Sequence, residues 1–268
     1  MVPGYALVAF LSDFGYTDYY VAAVKAVIKR VCPAAEVIDV SHGVQPWSLL
    51  DGCYTLSCCF DDFPEGTVFL AVVDPGVGTS RRGLVVKSAR YWFVGPDNGL
   101  LTCVASRDPP FTAWSIERVP HARKHSYTFH GRDVFGPVAA YIACGGRPEE
   151  VGREVADLVV LSGWEPEVAG GAIRARAVHV DNFGNVALNI GVGLLERMSI
   201  GYGAALRVRA AGREYNVRLV KTFGEVEPGG VAAVINSCGF LELVVNQGSA
   251  SKRLGVSAGD PVEVLLER

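Results

Sequence analysis

Residues 66–74, GTVFLAVVD, constrain the fold of this chain more than any other stretch. The run is nearly all apolar and β-branched, so a strand formed here must have protein on both faces. Such a strand belongs in a largely parallel sheet with helices on either side, and the flanking segments supply them. ALVAFLSD (6–13) is a second apolar strand, ending in Asp13. TDYYVAAVKAVIKRV (17–31) follows with helical periodicity and with Thr17 or Asp18 as its cap. EVIDVSH (36–42) predicts a strand and PWSLLDGCYTLSCCF (46–60) a helix with Pro46 near its start. LVVKSARYWFVG (84–95) reads as a strand pair, and RDVFGPVAAYIACGG (132–146) as a helix ended by glycines.

Around SGWEPEVAGG (162–171) the texture changes, with Pro166 and the Gly170–Gly171 pair marking a linker. Beyond it come short alternating strands, a hairpin turn near Ala211–Gly212 and a single helical segment, GVGLLERM (191–198). The expected fold class is therefore α/β: an N-terminal α/β domain over residues 1–165 with a largely parallel central sheet, and a smaller, mostly antiparallel, barrel-like β domain over 171–268.

Composition narrows the function. The chain has 268 residues, half of them hydrophobic and a fifth charged, with a formal net charge of −3. It has no general electrostatic footprint for nucleic acid, and no apolar run of the roughly 18 residues that a membrane span needs. MVPGYALVAFLSD lacks the basic region of a signal peptide, so a cytoplasmic location is expected. The seven cysteines are scattered without a CxxC pair and read as buried small apolar residues. His121 and His125 in HARKH, followed by His130, lack the glutamate of a zinc motif and read as a solvated loop, so no metal is expected.

Ligands of open α/β sheets gather at the carboxyl ends of the strands. Ser12–Asp13, Ser41–His42 and Asp74 all fall there. Each residue alone suits a cap or a turn, but three on one sheet edge make a site. Asp13 can accept both hydroxyls of a ribose. VVDPGVGTSRRG (72–83) matches neither phosphate-loop glycine pattern and leads with a carboxylate that repels phosphate. It is left as a turn held by an ion pair or as a catalytic pair. FHGRDVFGP (129–137) puts His130 at a helix start, where a neutral imidazole is favoured. VDNFGNVALNI (180–190) is a turn carrying Asp181, Phe183 and Asn185, and Asn side chains can read an adenine edge. INSCGF (235–240) holds Ser237 at a turn, and Trp47 either stacks on a flat ligand or packs.

Taken in order, SDFG…TD, DVSHGVQPW, FPEGTVFLAVVDPGVGTSRR, GPDNGLLT, FHGRDVFGPVAA, DNFGNV and INSCGFLE resemble the S-adenosyl-L-methionine (SAM) hydroxide adenosyltransferases, or SAM hydrolases, relatives of enzymes that fluorinate and chlorinate SAM. The resemblance covers nearly the whole chain. It implies hydrolysis of SAM to adenosine and methionine with no cofactor, and a homotrimer holding SAM between the N-terminal domain of one subunit and the C-terminal domain of its neighbour. It implies a catalytic Asp74, Arg81 and His130, the family spacing selecting Arg81 over Arg82. It matches Asp13 to the ribose carboxylate, Trp47 to a stacking tryptophan and Phe183 and Asn185 to positions near adenine. Asp181 matches the carboxylate for the methionine amino group, in a turn one residue shorter than in the halogenating relatives. Ser237 falls at the amino-acid end, where Ser237–Cys238 stands in place of a Ser-Arg pair. Asp18 and Phe223 match ligand-lining positions.

The same resemblance bears on the nucleophile. Halogenating relatives have tyrosine where this chain has Asp74 and serine where it has Gly131. A carboxylate there repels halide by about 4 kcal/mol at ~4 Å and an effective dielectric of ~20, and Gly131 removes a hydroxyl donor. In-line attack of water at the ribose 5′ carbon expels a neutral thioether, so no general acid is needed. Arg81 and His130 are expected to position the water, with Asp74 fixing Arg81. A halide-dependent adenosyltransferase and a non-catalytic SAM or adenosine sensor are the alternatives.

Overall fold

The computed structural model describes residues 6–123 and 125–265. The chain divides into two compact units, Met1–Leu161 and Ser162–Arg268. The first is an α/β unit around a seven-stranded sheet. Its strands are β1 (Leu7–Ser12), β2 (Glu36–Ser41), β3 (Val68–Val72), β4 (Gly83–Lys87), β5 (Trp92–Pro96), β6 (Thr112–Ser115) and β7 (Glu154–Val155). They lie in the order β2-β1-β3-β5-β4-β6-β7, the first four parallel and the last three antiparallel to their neighbours.

Every residue of β1 and β3 is buried, which is why both stretches are unbroken apolar runs. Val8 and Phe10 of β1 pack in one core with Val21, Val24 and Ile28 of α1 (Tyr20–Val31) and with Val138, Ala139 and Ile142 of α4 (Gly136–Ala143). The apolar residues of α1 recur at helical spacing and so form one stripe facing the sheet. Leu7, Ala9 and Leu11 are as fully buried, so the other face of the sheet is covered as well. Helices α2 (Leu49–Ser57) and α3 (Leu100–Ala105) complete the unit.

Helix starts differ from the sequence reading. Tyr19, not Thr17 or Asp18, stands at the N-cap of α1, and no side chain caps it. The second helix begins after Pro46, because the Ser48 hydroxyl accepts a hydrogen bond from the Asp51 amide (3.3 Å) and so fixes the first turn there. Gly131–Phe135 form a single π-helical turn leading into α4. The cysteines are also more than apolar packing. Cys32, at the C-cap of α1, is disulfide-bonded to Cys144, at the C-cap of α4, and Cys53 of α2 is bonded to Cys103 of α3. These partners are 112 and 50 residues apart and meet only through helix packing.

The second unit is a β barrel. Its strands are β8 (Glu167–Ala169), β9 (Ala172–Val180), β10 (Val186–Gly191), β11 (Ala205–Ala210), β12 (Arg213–Val220), β13 (Val231–Ile235), β14 (Phe240–Val245) and β15 (Pro261–Leu265). Pairing of β9 with β10 closes a ring through β14, β13, β12, β11 and β15. All pairs are antiparallel except β12 with β13. Ile173, Val186, Leu188, Val208, Leu241, Leu243 and Val264 fill the interior. The expected hairpin turn holds, with Ala211 and Gly212 both at positive φ (47° and 73°) as a type I′ turn requires. β8 occupies part of the segment read as linker, and a short helix, α6 (Ala250–Leu254), joins α5 (Val192–Arg197) as an element the sequence pattern did not reveal.

The Cys32–Cys144 bond closes a long loop in the unfolded chain, worth about 4–5 kcal/mol by chain entropy. The double variant Cys32→Ser/Cys144→Ser should therefore melt well below the parent in calorimetry. Added reductant should lower the melting temperature of the parent more than that of the variant.

Candidate active site

The third strand ends at Val72, and Pro75–Gly78 turn the chain back toward the sheet edge. Gly78 lies at φ 78°, and a Cβ there would stand 2.3 Å from the Tyr127 carbonyl oxygen, so only glycine lets the turn press against the loop that leads to His130. The returning Arg81 donates from Nε to Asp74 Oδ1 (2.9 Å) and from Nη2 to Asp74 Oδ2, making a bidentate pair. Its Nη2 also lies 2.7 Å from His130 Nδ1. The guanidinium packs over the Phe135 ring, 5.0 Å from the centroid. Both charged side chains are largely buried, 13% and 7% exposed. Arg82 turns elsewhere, to Asp97 (2.7 Å) and Asp157 (2.9 Å).

Because a guanidinium only donates, His130 Nδ1 accepts and the imidazole proton sits on Nε2. Burial, reinforced by the charge of Arg81, pushes the His130 pKa below the ordinary histidine value, which keeps the ring neutral. Nε2 is buried and has no hydrogen-bond partner among the described residues. The result is a neutral N–H donor, braced from behind by a cation, with no acceptor among the described residues.

Asp13 extends from the end of β1 and accepts the Trp47 amide (2.8 Å). Burial raises its pKa, the Trp47 hydrogen bond opposes that, and the Asp74 charge adds to it. Trp47 itself is 72% exposed and held at φ 64°, a costly conformation for a non-glycine residue. Gly131 is buried under Phe14, whose ring would lie 3.1 Å from an added Cβ.

In the barrel unit, Asp181 organises its own turn: Oδ1 accepts from the amides of Phe183 (2.9 Å) and Asn185 (2.8 Å), and Oδ2 from Asn185 Nδ2 (2.9 Å). The Phe183 ring is thereby displayed, 80% exposed. Ser237 is exposed on a turn held by Asn236 Oδ1, which accepts from the amides of Cys238 and Phe240 (both 3.1 Å). Phe223 opens a short 3₁₀ turn closed by a Thr222–Glu225 capping box, and its ring is partly exposed. The structure thus joins Asp74, Arg81 and His130 in one bonded set and ties Asp13 to Trp47. Asp18 is exposed and its carboxylate has no hydrogen bond among the described residues.

Sequence reasoning passed over two supports. Asn98, in GPDNG, donates to the Val73 carbonyl (2.8 Å) and so buttresses the residue before Asp74. Glu242, buried on β14, accepts from Asn236 Nδ2 (3.1 Å), and burial together with the Asp181 charge raises its pKa. The quoted motifs contain both residues, but only the fold gives them a partner.

A buried carboxylate–guanidinium–imidazole set at the edge of an α/β sheet, in a chain that also carries a closed β barrel, defines a two-unit α/β-plus-barrel enzyme. Family models for the SAM hydroxide adenosyltransferase N-terminal and C-terminal domains match residues 8–152 and 175–263. The chain belongs to that family. It is 41% identical to an (R)-S-adenosyl-L-methionine hydrolase of Thermus thermophilus, over 96% of this chain and 99% of the relative. It is 31% identical to a fluorinase of Nocardia brasiliensis, over 96% of each. Among solved structures, an uncharacterized conserved protein from Thermotoga maritima superposes with a TM-score of 0.88 at 40% identity, covering 96% of this chain and 99% of that one.

The packing around Gly131 makes a direct prediction. Gly131→Ser should destabilise the protein by about 1–3 kcal/mol in urea unfolding, because Phe14 must move. Adding Phe14→Leu should recover part of that loss.

Proposed function

We propose that the protein hydrolyses SAM to adenosine and L-methionine, with water or hydroxide attacking the ribose 5′ carbon in line with the departing thioether. The carrying observation is the His130–Arg81 bond, which leaves a buried, neutral Nε2–H without a partner among the described residues. That N–H can hold the oxygen of a water, and the guanidinium behind it favours hydroxide character in what it holds. Asp74 neutralises Arg81 and fixes its plane, so the set as a whole carries no net charge. As hydroxide meets a sulfonium-activated carbon, opposite charges cancel, and a dry site favours that dispersal.

Support for water over halide comes from the same residues. Asp74 places a carboxylate where an anion would have to sit, and Gly131 has no hydroxyl to offer, with Phe14 close over it. In this reading Asp13 takes the ribose hydroxyls, Trp47 and Phe183 cover the flat base, and Asn185 reads its edge. Asp181 and Ser237 hold the amino-acid end, and Asp18 and Phe223 line the pocket. No cofactor or metal takes part. The family resemblance supports a homotrimer in which each site draws its barrel residues from a neighbouring subunit, and the exposed Trp47 and Phe183 rings leave surface for such contacts. A cytoplasmic location belongs to the same proposal.

Purified protein incubated with SAM should release adenosine and methionine in equal amounts. Asp74→Ala and His130→Ala should lower that release at least about 100-fold while SAM still raises the melting temperature. With fluoride or chloride present, halogenated adenosine exceeding adenosine would overturn hydrolysis. SAM that binds without turnover would point to a sensor.

The pH dependence follows from His130. Its pKa is depressed by burial and by Arg81, so the neutral ring persists below the ordinary value of about 6.5. The kcat/KM for SAM should stay level from neutral pH down through that value and fall only in more acid solution. The stability this neutral ring contributes is full above pH ~6.5 and is lost as pH falls from there toward the folded-state pKa.

A further inference from the structure

His42 plays no part in the reaction as proposed, yet it is one of the most completely buried polar side chains in the α/β unit, with 0% of its side chain exposed. Its Nδ1 lies 2.6 Å from Ser12 Oγ, and its Nε2 lies 3.1 Å from Asp39 Oδ1. Asp39 is itself bound by Tyr16 through its hydroxyl (2.9 Å) and by Lys25 through Nζ (2.6 Å). The order Asp39–His42–Ser12 is that of a hydrolytic triad. Ser12 is wholly buried, however, so no substrate can reach its hydroxyl. A nucleophile reading fails on access alone.

What the network does touch is one loop. The Asp39 carboxylate stands 3.1 Å from Nε2, an electrostatic contact without hydrogen-bond alignment, and Nδ1 shares a hydrogen bond with the Ser12 hydroxyl. The Ser12 oxygen in turn accepts weakly from the Phe14 amide (3.4 Å). The Gly15 amide donates to the His42 carbonyl (2.8 Å), and the Tyr16 hydroxyl reaches Asp39. The Phe10 and Tyr16 rings meet the imidazole edge-on, at 4.5 and 5.1 Å, and hold its plane. Residues 12, 15 and 16 are therefore each fastened to the Asp39–His42 pair, and Asp13 lies between the fastened points. Asp13, so placed, accepts from the Trp47 amide.

We infer that His42, backed by Asp39, is a positioning residue for the ribose end of the substrate: it clamps the Ser12–Tyr16 loop and so fixes the Asp13 carboxylate beside Trp47. The inference rests on the proposed role of Asp13 in holding ribose hydroxyls. Burial depresses the His42 pKa, opposed by Asp39 and reinforced by Lys25, so the ring that closes the clamp is the neutral one. The titratable groups facing it are Asp39, Lys25 and Tyr16.

The test compares Ser12→Ala, His42→Asn and Tyr16→Phe with the parent. Calorimetric titration gives the affinity for adenosine and, separately, for L-methionine, and steady-state assays give KM and kcat for SAM. The clamp predicts a Kd for adenosine weakened about tenfold or more in Ser12→Ala and His42→Asn, and a smaller weakening in Tyr16→Phe. The methionine Kd stays unchanged, and KM rises by more than kcat falls. A purely structural role would lower the melting temperature and leave the adenosine Kd of folded protein untouched, which would overturn the inference. Tyr16 is 66% exposed, so its variant keeps the test open if the buried ones fail to fold. A parent protein that neither binds adenosine nor releases it from SAM would overturn the functional reading itself, and the clamp with it.

Discussion

Arg81 is a cation largely removed from water, and the arrangement around it depends on how its charge is answered. A buried guanidinium without a partner would cost several kcal/mol, so the Asp74 carboxylate must stand within bidentate reach. That demand sets the length and tightness of the Pro75–Gly78 turn, because a looser turn would not return Arg81 to the residue at the strand end. It also explains Gly78, whose missing side chain lets the turn lie against Tyr127 and brings the His130 loop alongside. Once Arg81 is held by Asp74, its remaining Nη2 proton reaches His130 Nδ1, and the imidazole tautomer follows without further help. One ion pair thus fixes a turn, a loop and the direction of a proton.

A second demand meets the first at the sheet edge. Burial penalises the Asp13 carboxylate, and the charge of Asp74 adds to that penalty. Two carboxylates converging there repel each other, and in the proposed reaction the sulfonium of SAM offsets that repulsion. Part of the fold is therefore spent holding Asp13 where it resists being placed. The Trp47 amide offsets some of that cost, and the backbone at Trp47 is itself strained to deliver it.

Much of the fold was legible because burial leaves a plain record. A strand covered on both faces is almost wholly apolar, as β1 and β3 are; a barrel strand with one face in water alternates, as ALRVRA of β11 does. Helix starts were less legible, since Pro46 suits a first turn as well as Ser48 suits a cap, and only the Asp51 amide decides between them. The disulfides were illegible, because pairing across 112 and 50 residues is a property of helix packing and not of spacing. At the site, residue types alone reached a sheet edge with Asp13, His42 and Asp74 on it; the grouping of Asp74 with Arg81 and His130 came from resemblance to a family. Adjacent arginines cannot be told apart by type or charge. Asp97 and Asp157 decide the matter by claiming Arg82, and neither is near it in sequence.

The choice between water and an anion as nucleophile reduces to charge counting at one position. Asp74, Arg81 and neutral His130 sum to zero, so the site has no surplus positive charge with which to draw halide out of water, an ion that is costly to dehydrate. Water carries no such cost. It needs only a donor to fix its oxygen, an electrostatic bias toward its deprotonated form and room beside the 5′ carbon. In the proposed reaction the Nε2–H supplies the first and Arg81 behind it the second. The close approach of Phe14 to Gly131 limits the third to something small. An anion would need a surplus cation or an added hydroxyl donor, and at positions 74 and 131 the chain has a carboxylate and a glycine instead.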